Sequence, residues 1–556
     1  MQVAVQFIPW RMRWCLLLLT MVLQTTQAQT SLQLVSSNPV NNAIGVDRGA
    51  DIILVFSENI DPQSVTASHV KLRHGDLAES ITVDVSANQL SIRSTHPLQP
   101  GTSYILGVSG LQSSEGDLLG AAVSVVFTTI DGTWQPPQQV TTGSQYLQSS
   151  KLAFSKQDGT AMVVWTEHTG TLRTDLFASR YASGQWSAPQ LVNTNAQGEV
   201  FDASIATGSD GMAVAVWEEC YTDDSGGIHF RIWGNVFTVS NGWAMPQPIS
   251  NEAAQGGFSP QVAMSTNGKV LALWYQYDHG TGRIFSSRYN AQEGWSEATT
   301  IDAVSKAPGS FNPHIAFDNK GNAYAVWQQW WHGVTLIWAN RYVAGRSWIA
   351  PQIIQTDKTT NSDASQLAFD ANGNAVAVWT QSGQVFTSRY ALDQGWSAST
   401  AISNGIEGYQ PTVSVNGSGD AFAAWTQVVV TGTDEHGIPH TRGINWVNNF
   451  TTNGGWQTPT LLQDANGFNS GDVSLASDDA GNALAIWSES NGSFYRIYTN
   501  RYQANVGWVR RKVIDTTNTV AATNPHVVVD ANGSALAVWE QVDAAGNVGI
   551  WSSRFE

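Results

Sequence analysis

Tryptophan recurs along this chain at a spacing that few architectures tolerate. From Trp134 onward the sequence repeats with a period of about 53 residues, and three aromatic positions return in every copy. One ladder ends an AVAVW-type run: Trp165, Trp217, Trp274, Trp327, Trp379, Trp425, Trp487 and Trp539. A second opens a W-S-x-P-type run: Trp134, Trp186, Trp243, Trp295, Trp348, Trp396, Trp456 and Trp508. A third lies between them: Phe177, Trp233, Phe285, Trp338, Phe386, Trp446, Tyr498 and Trp551.

The clearest copy is LAFDANGNAVAVWTQSGQVFTSRYALDQGWSAST, residues 367–400. It reads as four short strands: A (LAFD), B (AVAVW), C (VFTSRY) and D, from Trp396. Gly-, Asn- and Asp-rich turns separate them. Strand B is apolar on both faces, as a sheet squeezed between two others must be. Four-stranded repeats of this length predict a β-propeller, and eight rungs per ladder predict eight blades. The first copy opens with an orphan strand D, WQPPQQV (134–140), and the last stops at strand C, IWSSRFE (550–556). Pairing the two closes the ring and covers a bare edge. The repeat is not the Asp-box of sialidases, because Gly373 and Trp379 are separated by a whole strand. Likeness to sialidase-like or lectin-like propellers is therefore one of fold only.

Before the repeats, residues 31–130 alternate strands and polar turns over a length that suits an Ig-like sandwich. Pro39, Gly45-Val46, Phe56-Ser57-Glu58, Gly101-Thr102 with Tyr104, and Phe127-Thr128-Thr129 make the segment resemble the SbsA-type bacterial Ig-like domain. That resemblance implies a spacer or adhesive module of exported proteins. Glu58 and Asp61 read as acids of a strand-end turn and not as a Ca²⁺ site. The expected fold class is thus all-β: an Ig-like sandwich (31–130), then an eight-bladed propeller (134–556) closed by an N-terminal strand.

Residues 1–28 read as a secretory signal peptide. Arg11 and Arg13 precede an apolar stretch from Trp14 to Leu23, with cleavage expected after Ala28. The stretch is too short to span a bilayer, and Cys15 lies inside it, not at a lipoprotein site. The expectation is export through the Sec pathway to the periplasm, the cell surface or the medium. Cleavage leaves Cys220 alone, so no internal disulfide forms. The formal charge of −17 falls to about −19 without Arg11 and Arg13. That balance argues against nucleic acid or anionic membrane as a partner.

Several tempting motifs recur too regularly to mark one site. The D-x-x-G-N turns (Asp318, Asp370, Asp479) lack the spacing of an EF-hand and read as hairpin turns. Six arginines in one slot (Arg180, Arg288, Arg341, Arg389, Arg501, Arg554) cannot converge on one carboxylate. They are expected to stack on aromatics or to pair with a neighbouring blade. The Glu or Gln two residues after each strand B tryptophan is discounted in the same way.

What remains is variation at one end. The count from the strand C arginine slot to the next tryptophan is 6 or 7, whereas strand B tryptophan to that slot runs from 10 to 24. Function usually lives on variable loops carried by a rigid scaffold. His168, His229, His279, His314, His332, His436, His440 and His526 all fall in B–C segments or at the start of strand A. The same end collects Tyr221, Asp223, Asp224, Tyr275, Tyr277, Asp278, Asp434, Glu435, and the strand A aromatics Phe201, Phe258, Phe311, Tyr409 and Phe468. His314 and His526, each in an NPH triplet, are expected to approach the central channel.

Aromatic platforms with acids and amides suit sugars, whose C–H faces pack on rings while hydroxyls hydrogen-bond. No spacing points to a metal or another cofactor, and EHGIPH (435–440) has no helix to align its histidines. A glycosidase needs a carboxylate pair, for which Asp223, Asp224, Asp278, Asp434 and Glu435 are candidates. The leading expectation is recognition of an extracellular glycan or surface glycoconjugate, without catalysis, by the B–C/D–A face. A polysaccharide-active hydrolase or lyase, an envelope protein–protein scaffold, and a merely solvated face are the alternatives. The expected ligand residues are Trp330, Trp331, His332, Tyr221, Asp223, Tyr277, Asp278, His279, His314, His436 and His526. Trp330 and Trp331 fall outside every ladder, so replacing either with alanine is expected to spare folding and weaken binding.

Overall fold

The computed structural model describes residues 31–556 apart from 76, 142–143, 145–146, 171–172, 195–197, 224, 252–254, 303–308, 406, 435, 465–466, 505 and 516–519, and apart from the side chains of 255 and 472. The expected signal peptide, Asp224 and Glu435 therefore lie outside the described residues. Among those described, the named elements are strands except for one 3₁₀ turn, Pro62–Ser64. None forms a helix long and apolar enough to cross a membrane.

The first domain is two packed sheets. One orders Leu34–Asn38, Ile52–Phe56, Gln89–Ser94 and Ile81–Ser86; the other orders Ala43–Val46, Val123–Thr129, Ser103–Val108, Val70–His74 and Leu77–Ala78. Alternate residues point inward, as in Ile52, Leu54 and Phe56, and meet Leu72, Leu90, Tyr104 and Phe127 in one core. Asp61 caps the 3₁₀ turn by accepting from Gln63 N at 2.9 Å, so it serves the turn.

Among the described residues after Thr133 the chain forms eight antiparallel sheets. In the first, strand A is Leu147–Phe154, B is Ala161–Gly170, C is Arg173–Ala182, and D is the pair of short pieces Gln185–Trp186 and Gln190–Leu191. In the eighth, A to C are Ala522–Val529, Ala535–Val542 and Val548–Phe555. Its fourth strand is Gln138–Gln139, paired antiparallel with strand C. Trp134 bridges Phe555 as Trp186 pairs with Tyr181 in the first sheet. Apolar clusters join each sheet to the next, from first on second to seventh on eighth. The eighth also packs on the first, with Val538 and Ile550 beside Val163 and Trp165.

The ladders explain this packing. The eight strand B tryptophans are fully buried. Each faces its third-ladder partner across strands B and C, from Trp165 opposite Phe177 to Trp539 opposite Trp551. A buried indole N–H needs an acceptor. In six sheets the Glu or Gln two residues on supplies it, as where Trp274 Nε1 donates to Gln276 Oε1 at 3.0 Å, Trp487 to Glu489 Oε2 at 3.0 Å and Trp539 to Gln541 Oε1 at 3.0 Å; the Trp217 and Trp425 N–H groups have no hydrogen-bond partner among the described residues. The arginine slot is structural too. Arg389 lies 3.7 Å over the Phe450 ring of the next sheet, and Arg554 of the eighth sheet donates to the Tyr181 hydroxyl of the first at 3.1 Å.

Arg501 is diverted to the first domain. It donates to Pro100 O at 2.7 Å and pairs with Asp131 at 3.1 Å. Gln99 Nε2 donates to Ala531 O at 3.0 Å, and Arg48 to Asn532 O at 3.1 Å. The Ig-like domain thus sits on the A–B turns of the seventh and eighth sheets. Gly533, at φ 72°, permits this contact, since a Cβ there would stand 2.8 Å from the Pro100 ring.

Gln541→Leu leaves the Trp539 N–H buried without its acceptor. The expected cost is about 1–3 kcal/mol, read as a lower midpoint in thermal or urea unfolding; an unchanged midpoint would refute this role for the Glu/Gln slot.

Candidate functional site

The innermost strands carry a feature that residue patterns did not reveal. Each strand A breaks register with strand B midway, between Phe201 and Ser204 in the second sheet and between Thr523 and His526 in the eighth. A non-glycine residue turns left-handed at the break: Ser149, Asp202, Ser259, Asn312, Ala364, Gln410 and Asn524, with φ between 40° and 58°. Asn and Asp tolerate this region better than most residues, which is the one sequence hint the bulge leaves. Just past it a ring of polar residues shares one register: Lys151, Ser204, Gln261, His314, Gln366, Thr412, Ser474 and His526.

A cavity of about 590 Å³ lies among these strands, lined by Lys151, Asp202, Gln261, His314, Gln366 and Gln410. His314 therefore reaches the central cavity. Its Nδ1 and the Nε2 of His526 are buried without a hydrogen-bond partner among the described residues. Burial lowers both imidazoles to about 4, with the Lys151 charge adding to the effect at His526.

The second and third sheets bring aromatic rings together at the B–C/D–A end. Phe258 lies 5.0 Å from Phe230, 5.1 Å from Tyr275 and 6.4 Å from Tyr277. Gly256 and Gly257 make this possible: a Cβ on Gly256 would stand 2.6 Å from the Phe258 ring, and one on Gly257 would stand 2.8 Å from Ile232. Tyr277 is 40% exposed and Phe201, next to the bulge of the second sheet, 36%. Beneath them sits Glu218, 6% exposed and opposite Phe201 in the ladder. Burial first, and then the Asp202 carboxylate, push Glu218 up to about 7 while Ser259 N–H holds it down. Glu218 and Asp202 escaped the sequence reading, because one sits inside an apolar strand and the other inside a bulge.

The expected ligand residues scatter around this end. Tyr221 stacks on His229 at 5.3 Å, with Arg231 5.5 Å over the Tyr221 ring. Asp223 is a turn-former: its Oδ1 accepts from Ser225 N at 2.9 Å and Gly227 N at 2.8 Å, and Oδ2 meets His229 Nε2 at 2.7 Å. Bonds from the Ser225 hydroxyl and His229 hold its carboxyl well below the usual range. Asp278 lies 3.9 Å from Arg283. His279 and His332 occupy left-handed corners of two-residue turns, each followed by a glycine. His436 sits in an Asp-x-x-Gly turn, its N–H donating to Asp434 Oδ1 at 2.8 Å.

Trp331 is half-buried. It packs on the core of the fourth sheet and meets Trp338 edge-on at 5.4 Å, so it is part of the packing. Trp330, half-buried, pairs with Thr335 in the hairpin. Among the described residues no three His, Cys, Asp or Glu side chains gather to hold a metal ion.

Residues 28–129 match the bacterial Ig-like domain family. No curated protein matches the chain. Among solved structures, an ulvan lyase from a polysaccharide lyase family is 10% identical, covers 61% of this chain and 89% of its own, and has a TM-score of 0.41. A sialidase from Streptococcus pneumoniae is 10% identical, with 95% of this chain and 93% of its own covered, at a TM-score of 0.32. The fungal lectin of Aleuria aurantia, a six-bladed β-propeller that recognises fucose, is 11% identical, with 57% and 97% covered, at a TM-score of 0.33. Likenesses this distant assign no activity to the chain, whose own residues must carry it.

His314 and His526 titrate near 4 in the fold against 6.5 as the ordinary value, so acid protonates them first in the unfolded chain. The stability linked to them is fully present above pH 6.5 and is lost as pH falls to about 4. His526→Gln should therefore shrink the fall in thermal midpoint across that window, relative to the unmodified protein. An identical acid profile in the variant would show that the buried imidazole is not linked to stability.

Proposed function

We propose that this is an exported glycan-binding protein whose eight sheets form an eight-bladed β-propeller closed by the strand after Trp134. The B–C/D–A face carries the sugar site. The observation that supports this most is the group Phe230, Phe258, Tyr275 and Tyr277, with Glu218 and Asp202 beside it. Aromatic faces take the C–H faces of a pyranose, and carboxylates accept from its hydroxyls. The Ig-like domain touches A–B turns, which leaves the opposite face open to a large ligand.

Of the residues expected from the sequence, Tyr277 belongs to this group directly. Tyr221 and Asp278 lie on the hairpins that flank it, Trp330 on that of the fourth sheet, and His314 in the cavity. Export through the Sec pathway belongs to the same proposal, resting on Arg11, Arg13 and the apolar stretch after them. So does the SbsA-type assignment of the first domain.

A glycan array with the full-length protein is expected to give carbohydrate binding. Tyr277→Ala or Phe258→Ala should then weaken it about three- to tenfold, the range of one lost ring contact. A well-folded sample that binds no carbohydrate on the array would sink the reading.

A further inference from the structure

In three sheets the residue after the ladder tryptophan is a long polar side chain that faces the bulge holding the left-handed residue of its own strand A. The pairs are Gln328 with Asn312, Glu540 with Asn524, and Glu218 with Asp202. All three share one register, since Phe311, Thr523 and Phe201, which precede the left-handed residues, face Gln328, Glu540 and Glu218.

Two of these pairs are complete. Asn312 Nδ2 donates to Gln328 Oε1 at 3.4 Å. Asn524 Nδ2 donates to Glu540 Oε1 at 2.6 Å, and Ser150 N adds a second bond at 2.9 Å. In the second sheet both members are carboxyl groups. An ionised carboxylate only accepts, so the same backbone arrangement there keeps a backbone donor, the Ser259 N–H on Glu218, but holds two side-chain acceptors and lacks the side-chain donor. Among the described residues, no lysine or arginine forms an ion pair with either one. Lys151 lines the same cavity as Asp202 without an ion pair to either carboxylate, while Arg283 is held by Asp302 at 2.9 Å and Arg173 by Asp175 at 2.9 Å.

Asp202 lines the central cavity and is exposed, so a donor can arrive from outside. Resting on the glycan reading above, we propose that the missing donor is the ammonium group of an amino sugar, held between Asp202 and Glu218 with its ring against the aromatic group of Phe258 and Tyr277. A sugar hydroxyl also donates, yet leaves the paired negative charge uncompensated. An ammonium brings three donors and the opposite charge, and aromatic faces attract it further. The acidic chain draws cations towards the face, whereas a uronate or sialate meets two carboxylates there. In the empty site a proton partly fills the gap, since Glu218 is held near 7, and the incoming ammonium displaces it to solvent.

The test is calorimetric titration of the full-length protein, at neutral pH, with a fully de-N-acetylated chitosan oligomer and its fully N-acetylated counterpart. The amine form should bind about tenfold to a hundredfold more tightly, the range of a hydrogen bond to a charged group. Asp202→Asn rebuilds the Asn–Glu pair of the eighth sheet. It should fold with an equal or higher thermal midpoint and lose the preference for the amine form. Equal affinity for the two oligomers, or a preference that survives in Asp202→Asn, overturns the proposal and leaves glycan binding standing. Binding of neither oligomer also overturns it, and the glycan array then decides the broader reading separately.

Discussion

The buried indole of strand B, with its N–H tied to the Glu or Gln two residues on, is the contact on which the rest of the structure depends. It recurs in six of the eight sheets and stands between neighbouring sheets, as Trp274 does between the second and third. A tryptophan fills a wide gap between sheets but brings one polar atom into it. The Glu/Gln slot satisfies that atom without help from water, as Gln541 does for Trp539. A second repeated device does the same for strand C. The side chains of Asn193, Gln355 and Gln463, buried at the end of strand D, accept from Leu176, Ile337 and Asn445 N–H at 2.8, 2.7 and 2.9 Å. Polar residues that look misplaced inside apolar runs are the partners of backbone and indole groups that the packing buries.

With the architecture so fully specified, individuality is confined to a few positions. Strand A bulges in nearly the same way around the molecule, but the left-handed residue differs from sheet to sheet. The residue after the ladder tryptophan differs too, from Thr166 and Glu218 to Tyr275 and Gln328. These two positions meet at the open end, beside the cavity. A rigid repeat therefore presents a different pair of side chains in each sheet, at constant geometry. The second and third sheets differ most from the others, with a buried acid in one and clustered rings in the other.

The Ig-like domain is held to the repeats by named bonds and is not a loose spacer. Arg501 occupies the slot that elsewhere ties one sheet to the next. Here it reaches Pro100 and Asp131, while its guanidinium lies 4.8 Å over the Phe555 ring. This contact sits beside the place where the strand after Trp134 meets the last strand of the chain. The same residues that join the two domains also border the joint between the first and last sheets.

The sequence by itself determined the period, the three ladders and the structural nature of the arginine and Glu/Gln slots. Those features depend on residue type repeated at fixed spacing, and repetition makes them legible. Proximity between different strands has no such trace. Trp331 looked spare because no other sheet has its equivalent, yet Trp338 in the facing strand takes it into the packing. Asp223 looked like a free acid, yet its own turn uses both oxygens. Glu218 and Asp202 drew no attention in the sequence at all. Only the tertiary structure brought them into one register, because a one-residue bulge in strand A, which no single residue type marks, sets Asp202 beside the position that faces Glu218.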